Sequence, residues 1–439
     1  QRLDRLMRLR TAVAENEERF EAVISADFGH RSATETTIAE TLFLLGEIKH
    51  AARHVKSWMA PRRIATALQF MPAKNRLLPQ PLGVVGIIAP WNYPLQLTLA
   101  PAIGAIAAGN RVMIKPSELT PRFAALLREI IAAKFAPTEM IVTGVEDDIA
   151  KAFATLPFDH LVFTGSTRVG RLVAEAAGRN LTPITLELGG KSPAIVGEGA
   201  RMPHAIERIV LGKLLNAGQT CIAPDYVLLP RARVQEFIDG ARAAVARLYP
   251  RLAENPQYAG IASERHYARL SGLRDAAIGD GAVAHALADA PAGARVIPPT
   301  LLTGVDDRMG VMQQEIFGPL LPIVPYDSID EAIAYVNAHP HPLALYVFDD
   351  RRAVVDRVLD ATLAGGVSVN DTILHIAQHH LPFGGVGASG MGVYHGEDGF
   401  RTFSRMKPVF RQARWNLVGL LNPPYRTTFR RMLRMLLGG

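Results

Sequence analysis

From residue 84 onward the chain alternates short apolar runs with amphipathic stretches of helical period, and few architectures accommodate that order. Residues 84–88, 111–114, 140–142, 160–163 and 184–186 read as strands, with helix-like stretches at 100–108, 123–133 and 168–177. This predicts a parallel sheet with helices on both faces. Beyond Gly190 the alternation restarts: strands at 194–196, 226–229, 322–324 and 344–348, helices at 202–216, 234–248 and 329–338. At 439 residues the chain exceeds the size at which one core keeps growing, so at least two domains are expected, with an α/β fold class.

Upstream, Leu3, Leu6, Leu9, Val13, Phe20, Val23 and Ile24 recur at helical spacing within 1–27. Ile38, Leu42, Leu45, Ile48 and Trp58 do the same within 35–58, so two amphipathic helices should open the chain. Pro61 stops the second, and residues 68–78, with Ala73-Lys74-Asn75 in the middle, read as an exposed hairpin.

The net charge is +7, but the basic residues are scattered except at Arg62-Arg63 and in the C-terminal tail, which gives no nucleic-acid footprint. The tail segment 429–437 has the pattern of a basic amphipathic helix, a form suited to a membrane surface. The expectation is that it packs on its own protein or on a partner subunit instead. No stretch reaches the roughly 18 uncharged apolar residues needed for spanning. No secretory signal is visible after Gln1, and a free thiol suits a reducing, cytoplasmic location.

That thiol is the lone cysteine, Cys221, in Asn216-Ala217-Gly218-Gln219-Thr220-Cys221. One cysteine excludes an internal disulfide and a thiolate metal cluster, leaving buried filler or a nucleophile. Phe163-Thr164-Gly165-Ser166-Thr167-Arg168-Val169-Gly170 follows one predicted strand and opens a helix, a place where backbone N–H groups hold phosphate. It departs from Gly-x-Gly-x-x-Gly, and a plain turn with Ser166 or Thr167 as N-cap also fits. Glu187-Leu188-Gly189-Gly190-Lys191-Ser192-Pro193 ends another strand, where paired glycines permit close approach to a ligand and a carboxylate can act as general base. His375, His379 and His380 have spacing that suits a metal on one helical turn, but no carboxylate or Cys accompanies them. The expectation is no metal, and a loop bordering the substrate entrance.

Taken in order, Pro81-Leu82-Gly83-Val84-Val85-Gly86-Ile87-Ile88-Ala89-Pro90-Trp91-Asn92-Tyr93-Pro94, Lys115-Pro116-Ser117-Glu118, the 163–170 turn, 187–193, Gly218-Gln219-Thr220-Cys221, Glu315-Ile316-Phe317-Gly318-Pro319 and Pro382-Phe383-Gly384-Gly385-Val386-Gly387 resemble the aldehyde dehydrogenases. The likeness extends from about residue 1 to 405. Residues 383–396, with Met391 and His395, the short N-terminus and Asn370-Asp371-Thr372 resemble the class 3 branch. Within that branch, Asp27-Phe28-Gly29-His30-Arg31-Ser32 and Cys221-Ile222-Ala223-Pro224-Asp225-Tyr226 resemble bacterial coniferyl aldehyde dehydrogenases.

The resemblance implies a Rossmann-type cofactor domain from 1–60 and 82–189, an α/β catalytic domain at 190–388, and a small β oligomerisation element from 61–81 and 389–439. It implies Cys221 as nucleophile, Asn92 and the Cys221 backbone N–H as oxyanion donors, and Glu187 as the base that activates water. Cofactor contacts are expected from Trp91, Lys115, Ser117, Glu118, Gly165, Ser166, Gly170, Leu188, Glu315 and Phe317. Among these, Lys115 and Glu118 meet the adenine ribose, Ser166 the pyrophosphate and Glu315 the nicotinamide ribose, with Phe317 beside it. Glu118 repels an added 2′-phosphate while Lys115 attracts it, so NAD is favoured and NADP is left open. The implied partners are a small-molecule aldehyde, of coniferyl or related aromatic type, and a second copy in a homodimer. A CoA-acylating enzyme would typically lack Glu187, and a non-catalytic protein on this fold would be free to lose Cys221, Asn92 or Glu187. A membrane-bound fatty aldehyde enzyme would share the chemistry but carry a longer, less charged tail.

Overall fold

The structure, a computed structural model, describes residues 1–289, 295–416, 418–425 and 427–436. Six strands form one sheet in the order Gly390–Met391, Ile184–Leu188, His160–Gly165, Val84–Ile88, Arg111–Lys115 and Met140–Val142. The last five are parallel, and Gly390–Met391 joins the edge antiparallel. Val85 to Ile88 are buried, as a strand covered on both faces requires. Strand order reverses at Val84–Ile88, and ligands of open parallel sheets bind at the carboxyl ends beside such a reversal.

A second sheet of seven strands has the order Val283–Ala286, Thr300–Thr303, Leu320–Tyr326, Tyr226–Pro230, Pro193–Val196, Ala344–Phe348 and Gly366–Val369. Its six internal and far-edge strands are parallel; Val283–Ala286 alone is antiparallel. The alternation in the sequence is therefore realised twice, in an α/β fold.

The third sheet differs from the local hairpin expected at 68–78. Arg62–Ile64 pairs with Asn75, Arg76 and Leu77, so Lys74 and Asn75 lie in a strand and residues 65–73 make the connection. Lys74–Pro81 pairs along its whole length with Ser404–Arg411. That partner lies over 300 residues away, beyond the reach of any local pattern.

The first helical stretch is also two helices, Arg2–Ala14 and Glu17–Phe28. Asn16 breaks it: its side-chain amide donates to Ala12 O at 2.9 Å and its backbone leaves helical geometry at φ −122°, ψ 17°. In the second stretch Ala33–Thr36 runs through a π turn, Thr37–Thr41, into Leu42–Trp58. Ile38 and Leu42, expected on the inner face, are each 61% exposed, whereas Glu40 and Glu47 are buried. The wider turn presents a different face from the one that apolar periodicity implies.

Glu40 has a specific task. The helix Pro94–Ala108 is buried on almost every side, and Tyr93, at its N-cap, makes no side-chain capping bond. Pro94 removes one orphan donor, and Glu40 Oε2 accepts from Leu95 N (2.7 Å) and Gln96 N (3.0 Å). Its other oxygen takes a 2.7 Å hydrogen bond from Arg31 Nη1. The Arg31 guanidinium lies over the rings of Phe28 (5.2 Å) and Tyr93 (4.8 Å) and reaches Asn92 O at 3.4 Å. Both ionic side chains are wholly buried. Glu35 Oε1 also lies 3.7 Å from Arg31 Nε, so loss of Glu40 leaves the guanidinium only that longer partner, and breaking a buried pair costs about 3–5 kcal/mol. Glu40→Ala should therefore lower the urea midpoint markedly and Arg19→Ala, at an exposed ion pair, hardly at all; equal midpoints for the two variants would remove the pair from the set of structural determinants.

Candidate active site

Three segments distant in sequence meet at the carboxyl end of Val84–Ile88. Asn92 Nδ2 donates to Gln219 O at 3.1 Å, and Asn216 Nδ2 donates to Asn92 O at 2.9 Å. The Tyr93 hydroxyl bonds Thr220 Oγ1 at 2.8 Å. Asn92 is thus bound two residues from Cys221, with the second hydrogen of its amide nitrogen left over for another acceptor. Gln219 fixes the same loop through Gly260 O (3.0 Å) and Ala262 N (2.9 Å).

The loop is strained in front of the thiol. Asn216, Ala217 and Gly218 have φ of 53°, 50° and 77° in succession, a left-handed run that non-glycine residues seldom adopt. A Cβ on Gly218 would stand 2.4 Å from Gly318 O, so only glycine fits.

Cys221 is partly exposed. Burial of the sulfur, then the negative charges of Glu315 and Glu187, push its thiol up to about 12. Glu187 ends its strand 2% exposed, and among the described residues neither of its carboxylate oxygens has a hydrogen-bond partner. Desolvation raises that carboxyl well above its ordinary range. It is held by no ion pair among the described residues, as an acid–base group that must meet water requires.

The expected cofactor residues fall into two groups. Near the thiol, Glu315 Oε1 is buried without a partner, and a Cβ on Gly189 would stand only 1.8 Å from Glu315 Oε2. Burial and the charge of Asp225 push the Glu315 carboxyl up to about 8, against the Gly190 N–H, Lys191 and Arg269. Asp225 positions this region: it accepts from Lys191 Nζ at 2.5 Å and from Ile316 N at 3.1 Å. The rings of Trp91 and Phe317 meet edge-on at 5.4 Å, with Phe317 at φ 52°.

At the next strand ends, Ser166 caps the helix Thr167–Arg179, its Oγ accepting from Val169 N at 3.4 Å. A Cβ on Gly170 would lie 2.5 Å from Leu188 Cδ2, so this glycine lets the helix sit tightly on strand Ile184–Leu188. Gly165 similarly faces the Phe163 ring. Lys115 ends strand Arg111–Lys115 and pairs with Glu118 at 2.7 Å. Burial raises the Glu118 carboxyl, but Lys115 outweighs it and holds it below the usual range. Ser117 serves its own turn, accepting from Leu119 N at 3.2 Å. The structure does not bring the Lys115–Glu118 pair to the thiol; it stands a strand further along the sheet.

A cavity of ≈ 270 Å³ runs between Thr167 at the helix start, Gly189, Gly190, Lys191 and Glu315. A helix terminus, a glycine cradle and a buried carboxylate oxygen without a partner among the described residues line one cavity, and they are the donors and acceptors that the phosphates and hydroxyls of a dinucleotide require.

The three histidines lie in an irregular, partly exposed loop. His379 Nδ1 contacts Glu47 Oε2 at 2.8 Å, His375 Nδ1 contacts Ser368 Oγ at 3.0 Å, and the rings of His380 and His50 are 4.4 Å apart. His379 and His380 hold the 372–381 segment onto helix Leu42–Trp58, and His375 ties it to strand Gly366–Val369. Among the described residues no three His, Cys, Asp or Glu side chains have metal-ligand spacing. Arg31, Tyr93 and Asp225 stand in the sequence motifs without a role that the motifs specify, and Glu40 is signalled only as a charge inside an apolar helical pattern.

Comparison with known proteins shows the family. Residues 1–409 match the family described as "Aldehyde dehydrogenase family". The chain is 51% identical to a probable coniferyl aldehyde dehydrogenase of Pseudomonas aeruginosa over 99% of its own length and 91% of the relative's. It is 41% identical to the 4,4'-diaponeurosporen-aldehyde dehydrogenase of Staphylococcus aureus, covering 98% and 93%. The substrate-bound Staphylococcus aureus AldH structure superposes with a TM-score of 0.94 at 39% identity, covering 99% and 94%. A Mycobacterium tuberculosis aldehyde dehydrogenase complexed with NAD+ gives 0.84 at 28%, covering 95% and 86%. The chain belongs to the aldehyde dehydrogenase family and is an NAD(P)-dependent aldehyde dehydrogenase.

Proposed function

We propose that the enzyme oxidises coniferyl aldehyde or a related aromatic aldehyde to the acid with NAD, through a thioester on Cys221. The observation that carries the reading is the convergence of Asn92, at 3.1 Å from Gln219 O, with the Cys221 loop, where Glu187 and Glu315 act on the thiol. Cys221 Sγ adds as thiolate to the aldehyde carbon, and the free Asn92 N–H and the Cys221 backbone N–H take the developing oxyanion. The dinucleotide, held by Glu315, Ser166 and the Lys115–Glu118 pair, supplies the two-electron acceptor when bound. Glu187 then takes a proton from the water that attacks the thioester, releasing the acid and restoring the thiol.

The Lys115–Glu118 ion pair favours NAD, since a 2′-phosphate would have to compete with Glu118 for Lys115. The aromatic substrate class rests on the names of relatives 45–51% identical. A homodimer is the assembly proposed, with the three-stranded sheet as its surface: Phe70 and Phe410 meet there edge-on at 6.2 Å, 38% and 52% exposed.

Cys221→Ser should abolish NADH formation while leaving NAD binding, read by fluorescence titration, nearly intact; retained turnover would sink the nucleophile assignment. In Glu187→Gln the single-turnover burst of NADH should survive while steady-state acid release falls by roughly 10²–10⁴-fold, the usual worth of a positioned base. Because the Glu187 carboxyl is raised, its basic form accumulates only above the ordinary carboxylate range, so acyl release should climb with pH along a limb that the Gln variant lacks. Finally, kcat/KM measured across cinnamyl-type, simple aromatic and long aliphatic aldehydes should peak with the first group and with NAD; a maximum for long aliphatic aldehydes or NADP would overturn that assignment.

A further inference from the structure

We propose that the C-terminal helix Thr427–Leu436 docks the enzyme on an anionic lipid surface. The segment 399–439 contains nine Lys and Arg and no Asp or Glu, although the chain as a whole carries 41 acidic residues. Within the helix Phe429, Met432 and Leu433 recur at i, i+3 and i+4 along one side, and Arg430, Arg431 and Arg434 occupy the other. The apolar side is partly exposed in the single chain: Phe429 is half-buried, and Met432 and Leu433 are 40% and 39% exposed.

The Tyr425 ring stacks on Phe429 at 5.9 Å and prolongs the apolar side, and Trp415, 82% exposed, precedes it. Aromatic rings with a polar edge beside an Arg-rich apolar face suit the boundary between headgroups and acyl chains. Ten residues make a helix of about 15 Å, half of a hydrocarbon core, and no described helix is long and apolar enough to cross a membrane. The helix therefore lies along the surface rather than through it.

Charge decides between occupants. A second copy carries the same net +7 and offers no overall attraction to a cationic helix, whereas an anionic leaflet attracts each Arg. Apolar aldehydes partition into lipid, so a surface-bound enzyme would meet them at raised concentration.

The test is sedimentation of the full chain with vesicles of phosphatidylglycerol and phosphatidylcholine, against phosphatidylcholine alone. The expected bound-to-free ratio is at least roughly tenfold higher on the anionic vesicles and collapses at ~1 M salt, where the screening length is about 3 Å. Arg430→Glu/Arg431→Glu and Met432→Ser/Leu433→Ser should each lose that binding, with unchanged turnover of a small water-soluble aldehyde. Failure of the full chain to sediment, or equal binding to neutral vesicles, would overturn the proposal. So would conversion of a dimer to monomers by Met432→Ser/Leu433→Ser in size-exclusion chromatography, which would assign the apolar side to a second copy.

Discussion

The capping of helix Pro94–Ala108 by Glu40, from another element, is the constraint on which the proposed active site depends. The helix begins with Tyr93 and Pro94, which leave its first amides without a side-chain cap, and it is too buried for water to satisfy them. Glu40 can take their place only because Arg31 neutralises it, and Arg31 also contacts Asn92 O. One buried ion pair thus links helix capping to the amide that faces the Cys221 loop. An apolar pair would fill the space equally well, but it would leave the Leu95 and Gln96 amides orphaned.

The resting electrostatics around the sulfur are adverse to catalysis. Burial and the charges of Glu315 and Glu187 oppose a thiolate, and burial also raises the Glu187 carboxyl above its ordinary range. A site in this condition is protected against stray electrophiles and oxidants, since the thiolate is the reactive species. Ionisation becomes favourable when positive charge enters and when water reaches Glu187. Binding of an oxidised nicotinamide would bring the first, and would then link nucleophile activation to the presence of the electron acceptor.

Much of this was legible in the amino-acid order. The alternation of apolar runs and helical stretches gave two parallel sheets, and the motifs at 91–92, 187–190, 218–221 and 315–317 carried the residues that meet at the site. What escaped was non-local. The partner of Lys74–Pro81 lies at Ser404–Arg411, and strand pairing over such a separation leaves no local trace. Ile38 and Leu42 misled because the π turn changes which face of their helix is buried, and a fixed 3.6-residue period cannot represent that change. The roles of Glu40 and Asp225 were hidden for a related reason: a buried carboxylate is explained by its partners, and these come from other elements.

Asp225 shows how the two halves of the site are kept in register. Its carboxylate receives Lys191, from the loop after strand Ile184–Leu188, and the amide of Ile316, beside Glu315. Its own backbone amide bonds Ser192 O at 2.7 Å, and it follows Cys221 by four residues. One side chain therefore ties the segment beside Glu315 to the segment that follows Cys221. Lys191 adds bonds to Val311 O (2.7 Å) and Gln314 O (3.1 Å), fixing the segment that ends at Glu315 from the opposite side. A reaction in which sulfur, aldehyde carbon and acceptor must align within a few tenths of an ångström needs such shared anchoring, because independent loops would drift separately.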